Sequence, residues 1–299
     1  MKKILVIFGL ILCITGCGKS SNNITIVSTS FPGYDIARAI TKNSDIEVSM
    51  LLKPGAEMHD YEPTPKDIVD IKNSSLFIYV GGESDSWVDK IVSNLDLSKT
   101  SVIKLMDLVD LKEEELKEGM DGEDEDEYDE HIWTSPINAI TITNKLKEEI
   151  IKIDNKEIYE KNSNEYVNEL KDIDNEFRTI VENSKRKEII FGDRFPFRYF
   201  TDEYNLDYYA AFKGCSDATE ASAKTISFLI NKVKSDNIPV IFKTELSSGK
   251  IANTISKETG AKVLEFNSAH NISKSDFDAG VTMVDIMKKN VSALKEALN

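Results

Sequence analysis

Short β-branched runs alternate with amphipathic helical periods along this chain. The alternation runs twice, once on each side of a single long helical period. The first series reads as strands at 24–28, 46–52, 76–80 and 102–106, with helices at 35–41, 65–73 and 87–94. Thr64 and Pro65 supply a cap and a first helical residue for the second of these helices. The second series reads as strands at 188–191, 207–212, 240–244 and 262–266, with helices at 197–204, 220–235, 250–259 and 278–298. Strands that alternate with helices make a parallel sheet covered on its faces, which places the chain in the α/β class. Between the two series, Tyr159, Tyr166, Leu170, Ile173, Phe177 and Ile180 recur at steps of seven, four, three, four and three. Such steps mark one face of an α-helix, here over 155–183 and roughly 40 Å long. A length of 299 residues suits two domains. The expected architecture is therefore two (β/α) lobes with parallel-type sheets joined by one long spine helix. Residues 24–154 form the N-terminal lobe, 155–184 the linking helix and 185–299 the C-terminal lobe.

The first residues read differently. Met1-Lys2-Lys3 is a short positive start, residues 4–14 are almost wholly apolar, and Ile14-Thr15-Gly16-Cys17 follows. This is the pattern of a secretory signal, and its apolar run is too short to span a bilayer comfortably. Ile-Thr-Gly-Cys resembles a bacterial lipobox, which implies a signal peptide over 1–16, cleavage after Gly16 and a lipid on Cys17. Residues 17–23 would then form the lipidated Cys and a polar tether. Cys13 leaves with the signal and Cys17 carries lipid. Only Cys215 remains in the mature chain, so no internal disulfide is expected.

Charge narrows the partner. Lys and Arg total 37 against 52 Asp and Glu, for a net charge of −15. Removing Lys2 and Lys3 with the signal leaves 35 against 52, or −17. Phosphate backbones are bound by clustered positive charge, so nucleic acid is excluded as the partner, and an acidic surface suits a cation. Twelve carboxylates and one Lys lie between Glu113 and Glu130. Like charges repel and the stretch has no apolar face, so 112–130 is expected to be a mobile acidic surface loop.

The chain has three histidines, and each stands at a strand-to-helix boundary or loop. His59 follows a strand and precedes a helix, His131 ends the acidic stretch, and His270 lies just past the last strand. Open α/β sheets bind ligands beyond the carboxyl ends of their strands. Imidazole is the commonest side-chain ligand for zinc and similar metals. Ligands drawn from both lobes could close a metal site in the cleft between them.

Four segments carry a resemblance. Met58-His59-Asp60-Tyr61-Glu62-Pro63-Thr64-Pro65 and Asp129-Glu130-His131-Ile132-Trp133-Thr134-Ser135-Pro136 are similar to two hallmarks of the zinc and manganese ABC-transporter solute-binding proteins, the ZnuA/TroA-like group. Phe212-Lys213-Gly214-Cys215-Ser216, with Thr219-Glu220-Ala221-Ser222-Ala223, resembles a third, and Lys257-Glu258-Thr259-Gly260-Ala261-Lys262-Val263-Leu264 a fourth. The resemblance covers about residues 24–298. It implies two lobes on one long helix with the metal between them, and His59 and His131 as the N-lobe ligands. The C-lobe departs from the family pattern, because Arg194 falls in a segment where many relatives carry a His, and Asn267 stands where many carry an Asp. His270, three residues further on, then becomes the compensating ligand. Glu245, at a strand end, is the first candidate for the remaining position, with Asp193, water or a Cys215 thiolate as rivals. Three imidazoles and one oxygen favour Zn2+ over Mn2+.

The reading is of a non-enzymatic, extracytoplasmic lipoprotein that captures Zn2+, or alternatively Mn2+. It would deliver the ion to an ABC permease and its ATPase, as a monomer held on the membrane by the lipid on Cys17. A metal-binding adhesin and a secreted zinc hydrolase are the alternatives; against the hydrolase, the chain has no His-Glu-x-x-His pair. The long helix should restrict the lobes to small movements.

Overall fold

The computed structural model describes residues 24–58, 61–122, 127–214, 216 and 220–299. Cys17, His59 and Cys215, together with the signal and tether, lie outside the described residues. No described helix is long and apolar enough to cross a membrane.

In the N-terminal lobe, β1 (Thr25–Ser28), α1 (Phe31–Ile40), β2 (Glu47–Met50), α2 (Pro65–Asn73), β3 (Leu76–Tyr79), α3 (Val88–Val92) and β4 (Ser101–Lys104) follow the expected order. Then come α4 (Pro136–Ile153) and α5 (Glu157–Glu182). The C-terminal lobe holds β5 (Glu188–Phe195), α6 (Arg198–Glu203), β6 (Asp207–Lys213), α7 (Ala223–Ser235), β7 (Val240–Lys243), α8 (Lys250–Thr259), β8 (Lys262–Glu265), α9 (Lys274–Asp278) and α10 (Met283–Leu298). The cap at Thr64 is a full capping box: its hydroxyl accepts from the Asp67 amide while the Asp67 carboxylate accepts from the Thr64 amide.

Each lobe carries a four-stranded, wholly parallel sheet. The orders are β2-β1-β3-β4 and β6-β5-β7-β8, so both reverse direction at the same point in their winding. Alternate residues of a strand face opposite sides. In β1, Ile26 faces one core and Val27 another; in β5, Ile189 and Ile190 divide in the same way. The outer faces pack on each lobe's own helices, with Ile71 and Val88 in one lobe and Leu229 and Ile255 in the other. The inner faces share one core. Tyr159, Tyr166, Leu170, Ile173 and Phe177 of α5 lie in it, together with Ile26 and Phe31 of the first lobe and Phe191, Phe242 and Phe266 of the second.

A buried carboxylate pins the same junction. Asp35 of α1 accepts from the Tyr166 hydroxyl at 3.0 Å, from the Met283 amide that opens α10 at 3.0 Å, and from Arg38 at 2.6 Å. Burial raises its pKa against the pull of Arg38 and these donors.

Two features depart from the sequence expectations. The chain has a second long helix, α4, packed against α5. Its buried Ala139, Ile142, Leu146 and Ile150 repeat at three and four residues, with Ser135 as cap and Pro136 at the first position, so the signal was present in the sequence. The acidic stretch is also not a free loop in its described parts. Glu113 pairs with Tyr128 in an antiparallel bridge, and the Glu114 amide donates to the Glu127 carbonyl at 2.8 Å. The stretch then docks on the C-lobe edge strand. The Asp121 amide donates to the Ala211 carbonyl at 2.9 Å, Lys213 meets the buried Glu114 at 3.4 Å, and Lys117 pairs with Asp207. The Asp121 carboxylate accepts from the Ser222 amide that caps α7. Repulsion among the carboxylates is offset because lysines and helix-end amides of the other lobe meet them.

Because α5 serves both lobes, truncating its central face should be costly. Phe177 is buried against Phe200 and Tyr204, with ring centroids at 4.9 and 5.4 Å. Phe177→Ala is expected to lower unfolding free energy by about 3–5 kcal/mol in a denaturant titration, with a single transition retained. Two separated transitions would show lobes that fold independently.

Candidate metal site

The site is built from strand-end loops that meet between the lobes. His131 follows the acidic stretch and opens a single 3-10 turn, Ile132–Thr134. Its ring is fully buried, and Asp129 fixes it twice: one carboxylate oxygen accepts from the His131 amide at 2.7 Å and lies 3.1 Å from Nδ1. A carboxylate can only accept, so Nδ1 carries the proton and Nε2 presents its lone pair. Asp129 is itself located by the C-lobe, since the Tyr199 hydroxyl donates to its carbonyl at 2.8 Å. Burial would push the His131 imidazole down, but Asp129, Glu130 and Glu114 outweigh it and hold its pKa above the ordinary value.

Glu130 is buried beside it. Its carboxylate accepts from the Ser84 amide at 2.9 Å, and burial lifts its pKa. Gly82 makes room for this carboxylate: it sits at φ +75°, and a Cβ there would lie 2.3 Å from Glu130 Oε1. Asp85 accepts from the Val80 and Gly81 amides at the end of β3, and burial pushes it up to about 7.

His270 comes from the loop after β8. Asn267 Oδ1 accepts from the Ala269 amide at 2.8 Å, and Ala269 is left-handed at φ +57°. Glu245, just beyond β7 at the reversal of the second sheet, holds this loop. Its carboxylate accepts from the Ser268 amide at 2.7 Å, the Ser268 hydroxyl at 2.5 Å and the His270 amide at 3.2 Å. Burial raises the Glu245 pKa in spite of these donors. Asp193 is engaged elsewhere, accepting from the Thr244 amide and hydroxyl, each at 3.2 Å.

The two imidazoles meet across the lobes. His131 Nε2 lies 3.2 Å from His270 Nδ1, and the rings are perpendicular with centroids at 4.7 Å. Trp133 walls the pair at 5.7 and 5.5 Å, and its Nε1 donates to the Ser268 carbonyl at 2.7 Å. On the far side of His270, Nε2 faces Met58 Sδ at 2.7 Å. Zinc–nitrogen bonds of about 2.0–2.1 Å at tetrahedral angles set ligating nitrogens roughly 3.3 Å apart. The observed separation therefore fits two corners of such a site, and a proton can bridge the same gap when no metal is bound. The surrounding cavity is about 60 Å³ and is lined by Met58, His131, Arg194, Glu245, Ser268 and His270 among others. That volume suits an ion with a few waters and is far below the roughly 300–1,000 Å³ of organic-ligand sites.

Of the sequence candidates, His131, His270 and Glu245 all line this cavity. Among the described residues, no group of three or more His, Cys, Asp or Glu side chains is disposed to hold a metal. Met58 was not singled out as a functional residue by the sequence, since a thioether beside a histidine reads as ordinary core.

Fold and site together define a two-lobed α/β receptor for a small cation, with its side chains contributed by strand-end loops of both halves. A family model described as zinc-uptake complex component A, periplasmic, matches residues 26–297, and the chain belongs to that family. It is 35% identical over 309 residues to the high-affinity zinc uptake system protein ZnuA of Bacillus subtilis, covering 98% of this chain and 96% of that one. The crystal structure of the metal-dependent lipoprotein YcdH from Bacillus subtilis superposes with a TM-score of 0.79 at 33% identity, over 92% of this chain and 99% of the other. The Zn(II)-bound ZnuA-like domain of Streptococcus pneumoniae AdcA gives 0.77 at 29% identity, again over 92% and 99%. The full-length AdcA lipoprotein is longer, and the chain spans 56% of it. Membership makes the chain a solute-binding receptor of the extracytoplasmic space and not an enzyme.

A ligating imidazole must be deprotonated, so metal and proton would compete at His131 if it is a ligand. With the His131 pKa held above its ordinary value, zinc affinity is expected to fall on acidification from a pH above about 6.5. Asp129→Asn removes the negative charge from the acceptor on Nδ1. It should weaken zinc roughly 10- to 100-fold at neutral pH and move the onset of acid loss to lower pH, as read by competition titration across pH 5–8.

Proposed function

We propose that this chain captures Zn2+ between its lobes and hands it to an ABC permease driven by a cytoplasmic ATPase. The observation that carries the reading is the pair of facing nitrogens, His131 Nε2 and His270 Nδ1, 3.2 Å apart in a cavity too small for an organic ligand. His59 is the third imidazole. It follows Met58, which lines the same cavity. Glu245 is the candidate for the fourth position, and water is its rival because the carboxylate already accepts three bonds from the His270 loop. Nitrogen-rich donors favour Zn2+, with Mn2+ as the weaker alternative. Lipidation at Cys17 would hold the receptor, as a monomer, on the outer face of the membrane next to its permease.

The test is calorimetric titration of the metal-free mature chain. One site per chain, with zinc far tighter than manganese, is the expected result; manganese binding tighter would overturn the cargo. His59→Ala and His131→Ala should each abolish tight binding, and its survival in either would refute the site. Cys17→Ala should move the protein from the membrane fraction to the soluble fraction in its bacterial host, whereas unchanged membrane association would remove the lipid anchor.

A further inference from the structure

We propose that the cavity at the junction of α1, α5 and α10 is a second binding site, suited to a small zwitterion the size of an amino acid. It shares no residue with the metal cavity. Its volume is about 350 Å³, within the roughly 300–1,000 Å³ of sites that hold organic ligands. Both lobes and the spine helix wall it. Arg38 and Lys42 come from the first lobe, Glu165 and Glu169 from α5, and Gly280 and Val284 from the second lobe.

The charges on its walls carry the argument. Arg38 lies in the last turn of α1 and Lys42 just past its end, so that wall is positive. Glu165 and Glu169 stand one turn apart on α5, so the wall beside it is negative. Among the described residues, neither cation pairs with either of these carboxylates. Asp35 takes up the charge of Arg38, and Lys288 meets Glu169 at 3.3 Å. One cation and one carboxylate then remain weakly met: Lys42 makes no ion pair among the described residues, and Glu165 has only Lys161 of its own helix, at 3.9 Å. A ligand with one charge of each sign satisfies both walls, whereas a simple anion or cation is repelled by one of them. The hydrogen-bonding groups agree. Arg38 Nη2 donates to Asp35 at 2.6 Å and to the Val281 carbonyl at 3.3 Å, and the guanidinium lies 5.4 Å from the Tyr34 ring centre. Its Nε and Nη1 make no hydrogen bond among the described residues, which leaves a fixed donor edge for a carboxylate. Asn162, also in the lining, spends its amide hydrogens on the Ile40 and Lys42 carbonyls at 3.0 and 2.7 Å, and its Oδ1 remains as an acceptor for an ammonium group.

A ligand seated there touches both lobes and the spine, so it should raise the melting temperature by mass action. The experiment adds each standard L-amino acid singly to the metal-free mature chain, so that chelation of zinc gives no signal. Acetate and ethylamine, which carry one charge each, serve as controls. Melting temperature and the backbone amide NMR shifts of Ala39, Gly280 and Val284 are read for the wild type, Lys42→Glu and Glu165→Lys. Both substituted residues are exposed, so the ligand-free melting temperatures should match the wild type. At least one amino acid should bind saturably, move these three amides and raise the melting temperature. Acetate and ethylamine should bind at least about tenfold more weakly, and each variant should weaken the amino acid about three- to fivefold. Saturable binding by none of the amino acids would overturn the proposal, as would amide shifts confined to other parts of the chain. Affinity indifferent to both variants would overturn it too, and acetate binding as tightly as the amino acid would reduce the cavity to an anion site and overturn the zwitterion.

Discussion

One apolar core shared by both lobes around α5 is the constraint on which the rest of the structure depends. The inner faces of two separate parallel sheets bury against the same helix, so Phe31 from one half and Phe266 from the other belong to one continuous cluster. Opening the lobes widely would return much of that surface to water, at about 25 cal/mol for each Å² exposed. Asp35 adds a polar cost, because parting α1 from α5 and α10 would strip the Tyr166 and Met283 donors from a buried carboxylate. Such a core would favour changes at the cleft that are confined to loops and small displacements.

That restriction suits a site made from loops. The imidazoles stand on the connections after β4 and β8, where the chain has no ladder partner and the side chain sets its own direction. Each is then fixed by a second contact: Asp129 on His131, Glu245 on the amide of His270, and Trp133 between the two loops. Glu245 illustrates a general point about strand-end carboxylates. It stands where the sheet reverses, a usual place for a ligand-binding group, yet its oxygens are directed at the loop that carries His270.

The acidic stretch has a related role in the architecture. Its described residues touch β6 through one bridge at Asp121 and return to Asp129 and His131, so a segment from the first lobe reaches the site by way of the second. Carboxylates that repel one another in isolation are paired here with Lys117, Lys213 and the start of α7. In the described residues of 112–130 the acidic charge is met in this way by groups on the other lobe.

The sequence by itself determined the α/β class, the succession of eight strands along the chain, the spine helix and the two histidines that meet. Each rests on a local signal: the two-residue or 3.6-residue period of buried side chains, and the loop that must follow a strand in a parallel sheet. The period of α4 was equally legible in Ala139, Ile142, Leu146 and Ile150. Only the tertiary structure decided that His131 Nε2 faces His270 Nδ1, that Met58 lies against His270 Nε2, and that Arg194 meets Glu57. These depend on how two lobes dock across a common core, which brings together residues more than a hundred positions apart. No period or spacing within either lobe encodes that register.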